Sequence, residues 1–91
     1  MKKIVTYNSK NSAVSDLAKQ ELQALVDDEL IIWENYDVED NLVDFAALGI
    51  KTYPTYHFVW DNTDITSVVQ GFIPIDRILE FYEATVGVVN D

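Results

Sequence analysis

Gly49-Ile50-Lys51-Thr52-Tyr53-Pro54-Thr55, running on into Tyr56-His57-Phe58-Val59-Trp60, is the stretch on which the reading of this chain turns. Gly49 stands where a helix needs a residue that enters the left-handed region without a Cβ penalty. The apolar stretch before it, Asp40 to Leu48, is therefore predicted to be a short helix ending there, with Leu42, Val43, Ala46 and Ala47 inward. After it, Pro54 to Trp60 is rich in aromatic residues and reads as a strand. A proline can open such a strand, because it has no N–H to give to the ladder. Asp61-Asn62-Thr63 then reads as a turn into Ile65 to Gln70, which predicts an antiparallel hairpin.

Working back toward the start, Lys2 to Tyr7 reads as a strand closed by Asn8-Ser9-Lys10-Asn11. From Ser12 to about Asp27, Val14, Leu17, Ala18, Leu22 and Leu25 recur at helical spacing and predict one buried stripe. Leu30 to Tyr36 is a nearly continuous apolar run, as expected of a strand covered on both faces, so it is placed centrally in the sheet. Toward the end of the chain, Pro74 and Gly87 bracket a last helix with Ile75, Ile78, Leu79 and Tyr82 inward. The order β-α-β-α-β-β-α predicts an α/β fold. Its first β-α-β makes a right-handed parallel crossover and its hairpin extends the same sheet, giving a four-stranded mixed sheet with three helices on both faces.

A length of 91 residues predicts one domain, residues 1–91, and 48% hydrophobic residues, with four Phe, five Tyr and two Trp, are enough for a core. Six basic against sixteen acidic residues give a formal charge of −10. That charge opposes phosphate backbones and anionic membranes, so neither nucleic acid nor membrane is an expected partner. Its simplest role is solubility; a basic protein partner is the other reading. The absence of cysteine excludes disulfides, thiolate zinc sites and thiol nucleophiles. A single histidine, His57, leaves little for metal chemistry, so no metal and no cofactor is expected. Met1 to Tyr7 is too short for a signal peptide, and no apolar run reaches the roughly 18 residues of a membrane span. A soluble, cytoplasmic monomer is the resulting expectation.

Three segments together resemble the thioredoxin-like superfamily across nearly the whole chain, in the shortened form shared with glutaredoxins. They are Asp37-Val38-Glu39-Asp40-Asn41, the Gly49–Thr55 segment at the matching distance, and Gly71 followed by a helix ending in Leu79-Glu80-Phe81-Tyr82. The resemblance implies a cis bond between Tyr53 and Pro54. It also implies a substrate-binding edge at Thr52, Tyr53 and Pro54, where the backbone of Tyr53 meets an extended protein segment. It places the family's C-x-x-C motif on Ser12-Ala13-Val14-Ser15. In that family the first cysteine is a thiolate favoured by the helix N-terminus, and the second resolves the mixed disulfide. A serine hydroxyl does neither. The family's buried aspartate and its lysine on the next strand correspond to Thr6 and Asn35, and its tryptophan before the motif corresponds to Asn11.

Read without the resemblance, Ser12 is a good helix N-cap, and Asp16 in the first turn suits the helix dipole. A hydrolytic Ser12 would need a base within about 3 Å, and His57, inside a predicted strand, is set aside for that role. Two functions follow. The first is a scaffold for protein disulfide reduction in which Ser12 and Ser15 replace the catalytic cysteines, a redox-inactive, engineered Cys-to-Ser form of an active parent. The second is a natural non-catalytic module that holds a protein in the groove between Ser12 and Pro54. The partners implied are protein disulfide substrates, with a thioredoxin reductase to recharge the domain, or a protein bound in that groove.

Overall fold

The computed structural model describes residues 1–86. Its elements are β1 (Lys2–Asn8), α1 (Ala13–Asp27), β2 (Trp33–Asp37), a 3-10 turn (Val38–Asp40), α2 (Leu42–Leu48), β3 (Thr55–Trp60), β4 (Asp64–Gln70) and α3 (Ile75–Ala84). The four strands form one sheet in the order β2-β1-β3-β4. β1 and β2 run parallel, from Ile4 opposite Trp33 to Asn8 opposite Asp37. β3 is antiparallel to β1 and to β4, with Tyr7 opposite Thr55 and Thr55 opposite Gln70. The hairpin turn places Asp61 and Asn62 at positive φ, the conformation that short hairpin loops require and that Asp and Asn tolerate.

Side chains alternate along a strand, and that alternation sets the layers. Ile4 of β1 with Tyr56 and Phe58 of β3 meets Ala18, Leu22 and Leu25 of α1 and Ile78 and Tyr82 of α3 in the main core. Lys3, Val5 and Tyr7 alternate with Ile4 and Thr6 and therefore face the other way. There the Tyr7 ring meets Phe45 of α2 edge-on at 5.3 Å and His57 at 4.8 Å. Helices thus cover both faces, α1 and α3 on one and α2 on the other.

Three sequence expectations are corrected. β2 lies at the sheet edge and not centrally, and it starts at Trp33, so Leu30 and Ile32 of the apolar run are exposed in the connection before it. Hydrophobic runs mark burial only if something covers them, and β2 pairs with β1 alone. In α2 the buried residue is Phe45, while Leu42, Val43, Ala46 and Ala47 face outward; a helix of 7 residues has room for one anchoring side chain, and the bulkiest takes it. In α1 the buried stripe is Ser15, Ala18, Leu22 and Leu25, with Val14 and Leu17 exposed. α3 begins at its N-cap Pro74, with Ile78 and Tyr82 buried and Ile75 and Leu79 half-buried. The glycine expected to close it, Gly87, lies outside the described residues.

Candidate functional site

The register gathers the site. Tyr7 is opposite both Tyr36 and Thr55, and Thr55 is opposite Gln70, so one end of the sheet carries the exits of β1, β2 and β4 and the entry to β3. The segments at that end are Ser9–Ser15, Val38–Asn41, Thr52–Pro54 and Gly71. Every site residue expected from the sequence (Ser12, Ser15, Thr52, Tyr53 and Pro54) belongs to this group.

Ser12 is the N-cap of α1. Its backbone is extended (φ −110°, ψ 121°), and its Oγ accepts from the Ser15 N–H at 3.1 Å, satisfying one of the unpaired donors of the first turn. Ser15, one turn deeper, is completely buried, at 0% exposure, and its Oγ accepts the Ser9 N–H at 3.1 Å. Ser12 is half-buried. The pair therefore has one hydroxyl at the rim and one behind it.

The loop before the helix is held from outside by a residue that the sequence reading left without a role. Glu39, in the 3-10 turn, accepts the Ser9 hydroxyl at 2.7 Å and the Lys10 N–H at 2.8 Å. Hydrogen bonds from the Lys10 amide and then from Ser9 hold its carboxyl below the usual carboxylate range. Lys10 in turn pairs with Asp40 at 2.8 Å, and that hydrogen bond and charge push its ammonium pKa upward. An exposed acidic residue in a D-V-E-D-N segment reads as a solvated charge; only the fold brings it to the Ser9–Lys10 backbone.

Below the helix, on the core side of the sheet, the structure has a neutral polar network. The Thr6 hydroxyl donates to Asn35 Oδ1 at 2.9 Å and accepts from Trp33 Nε1 at 2.8 Å and Asn8 Nδ2 at 3.1 Å. Asn8 Nδ2 also reaches Asn35 Oδ1, at 2.6 Å, and Asn35 Nδ2 donates to Asp37, which pairs with Lys19 of α1 at 3.3 Å. Thr6 and Asn8 are fully buried and carry no ionisable group; the ionisable members of this network are Asp37 and Lys19, paired with each other. Asn8 and Trp33 were missed as site residues because a strand-end asparagine and a strand tryptophan carry no motif of their own.

On the facing segment, the Tyr53–Pro54 bond is cis. The Pro54 carbonyl accepts the Gly71 N–H at 2.8 Å, and the Thr55 hydroxyl donates to the Thr52 carbonyl at 2.5 Å. Both bonds fix the segment from behind. The N–H and carbonyl of Tyr53 make no hydrogen bond among the described residues. His57 does not serve Ser12: it is buried on the α2 side of the sheet against Tyr7, where desolvation lowers its pKa. Among the described residues no group of His, Asp and Glu is arranged to hold a metal ion, and no helix is long and apolar enough to cross a membrane.

Four strands in the order β2-β1-β3-β4, a parallel crossover, and a helix N-terminus and a cis-proline segment at one sheet end make up a thioredoxin-like fold. Solved structures agree. A thioredoxin-2 of the malaria parasite matches with a TM-score of 0.83 at 13% identity, over 93% of this chain and 84% of that one. Chloroplastic thioredoxin z matches with a TM-score of 0.81 at 22% identity, over 92% of this chain and 77% of that one. A mutant thioredoxin from Halobacterium salinarum matches with a TM-score of 0.82 at 16% identity, over 98% of this chain and 78% of that one. No family model and no curated protein matches the sequence. The likeness is one of fold.

Proposed function

We propose that this domain is a disulfide-reductase scaffold whose attacking and resolving thiols are replaced by the hydroxyls of Ser12 and Ser15, and that it holds an extended protein segment along Thr52–Pro54. The observation that carries this reading is the asymmetry of the serine pair. The first position caps a helix at the rim, where unpaired N–H groups and the positive dipole end would stabilise a thiolate. The second is buried one turn behind it, where a thiol would be shielded from outside attack yet positioned to resolve a mixed disulfide. The unpaired backbone groups of Tyr53 supply what an extended segment needs for strand-like pairing.

As it stands the chain has no thiol for disulfide exchange, and among the described residues the Ser12 and Ser15 hydroxyls bond only to backbone N–H groups, so no base activates them. The double substitution Ser12→Cys/Ser15→Cys is expected to catalyse dithiol-dependent reduction of insulin, with each single substitution inactive in turnover. A folded double variant that leaves insulin reduction at the uncatalysed rate would overturn the proposal.

A second reading, a natural binding module, is favoured by the neutral Thr6–Asn8–Asn35 network, which stands where the resemblance implies a buried aspartate and a lysine, while the only carboxylate it reaches, Asp37, is already paired with Lys19. Under it, the serine chain and the double-cysteine variant capture the same partner with the same affinity, and the variant gains no reductase turnover. Both readings place the protein ligand at the same edge. Protein partners with a disulfide, a recycling reductase and a cytoplasmic setting belong to the first.

A further inference from the structure

On the sheet face opposite α1 and α3, a cleft of about 360 Å³ opens between β1, β2 and α2, lined by Tyr7, Tyr36, Asn41, Asp44, Phe45 and Leu48 among others. We propose that this cleft takes an arginine or lysine side chain from a basic segment of a partner protein, a contact separate from the Ser12–Pro54 edge. Its walls are aromatic: Tyr7 and Tyr36 stack with centroids 5.9 Å apart and planes inclined by 20°, and Phe45 meets Tyr7 edge-on. Tyr36 is 40% exposed, so its ring is open to a ligand. Ring faces attract cations, guanidinium above all.

Carboxylates complete the preference. Asp44 lines the cleft and forms no ion pair among the described residues. Glu34 accepts the Tyr36 hydroxyl at 3.4 Å but is already paired with Lys3 at 3.0 Å, so Asp44 is the carboxylate left for a ligand cation. Burial first, and then neighbouring acidic groups that include Glu34 and Asp44, push the Tyr7 phenol above its usual value, so it stays neutral in the cleft wall. A neighbouring cleft of about 300 Å³ shares Asn41 and Asp44 and adds Glu39, Asp40, Leu42 and Val43. Leu42 and Val43 are 67% and 81% exposed, which gives the site apolar ground for a side-chain stem beside Asp44; Asp40 and Glu39 are already engaged by Lys10 and Ser9.

Charge decides the occupant. Two copies of a chain carrying −10 repel, and an anionic membrane or nucleic acid is repelled likewise, whereas a basic segment gains from the same field. The test titrates the blocked peptide Gly-Leu-Arg-Leu-Gly into isotopically labelled full chain, followed by NMR, with citrulline or glutamate replacing arginine as controls. Saturable shifts are expected at Tyr7, Tyr36, Asp44 and Leu48 and not at Ser12 or Ser15, weakening with salt and absent with the glutamate peptide; Tyr53, whose ring lies 6.1 Å from that of Phe45, is too near the cleft to serve as a control. Tyr36→Ala is expected to weaken binding about fivefold and Asp44→Asn about threefold; both sites are exposed enough for the fold to persist. Overturning results are equal binding of the citrulline and arginine peptides, shifts confined to the Ser12–Pro54 edge, no saturable shift up to millimolar peptide, or self-association through Leu42 and Val43 seen on dilution.

Discussion

At the scale of single residues, the two serines differ in what their hydroxyls do. Ser12 satisfies one first-turn N–H at a half-exposed cap, so Ser12→Ala is expected to cost about 1 kcal/mol in urea unfolding. Ser15→Ala leaves the Ser9 N–H without its acceptor in a buried place, and a cost of about 1–3 kcal/mol is expected from the same experiment. Glu39 makes the site pH-sensitive. Its carboxyl is held below the usual range in the folded chain, so the unfolded chain binds more protons as the solution is acidified. Its contribution is fully present above the unfolded value of about 4.3 and is lost as pH falls through the lower folded value. The stability difference between the parent and Glu39→Gln, followed by chemical denaturation against pH, should therefore shrink on acidification across that window; a difference that grows toward acid would contradict the assignment.

At the scale of elements, α2 rests on a single buried side chain and is the easiest to test. It is short and anchored by one buried ring, Phe45, so Phe45→Ala is expected to cost about 3–5 kcal/mol and to free the Tyr7 ring. Its C-cap Gly49 sits at φ +71° with open space where a Cβ would stand. Gly49→Ala therefore meets conformational cost alone, about 1 kcal/mol in the same unfolding measurement. Gly49 was legible in the sequence because it satisfies a backbone demand that few residues meet, whereas the cis bond at Pro54 was legible only through the family resemblance. The hairpin was legible for the reason that Gly49 was, through Asp61 and Asn62. The faces of α1 and α2 were not, because the buried stripe of α1 runs through polar Ser15 while apolar Val14 and Leu17 point outward. Nor was the edge position of β2, since strand order depends on pairing partners distant in sequence. The same distance hid Glu39: its partners Ser9 and Lys10 lie some thirty residues away, |i−j| of 30 and 29.

At the scale of the molecule, a thioredoxin-like sheet delivers a helix N-terminus and a cis-proline segment to one end, and sequence identities of 13–22% to the structures compared show how little the backbone depends on any one side chain. What the fold supplies at positions 12 and 15 is a difference in environment, and thiols placed there report it directly. The decisive measurement is the pH dependence of iodoacetamide alkylation in the single variants Ser12→Cys and Ser15→Cys. Position 12 is predicted to react with an apparent pKa below the free-thiol value of about 8.5, and position 15 to stay protected until the chain unfolds. Equal reactivity at the two positions, or the reverse order, would contradict the assignment of an attacking and a resolving site.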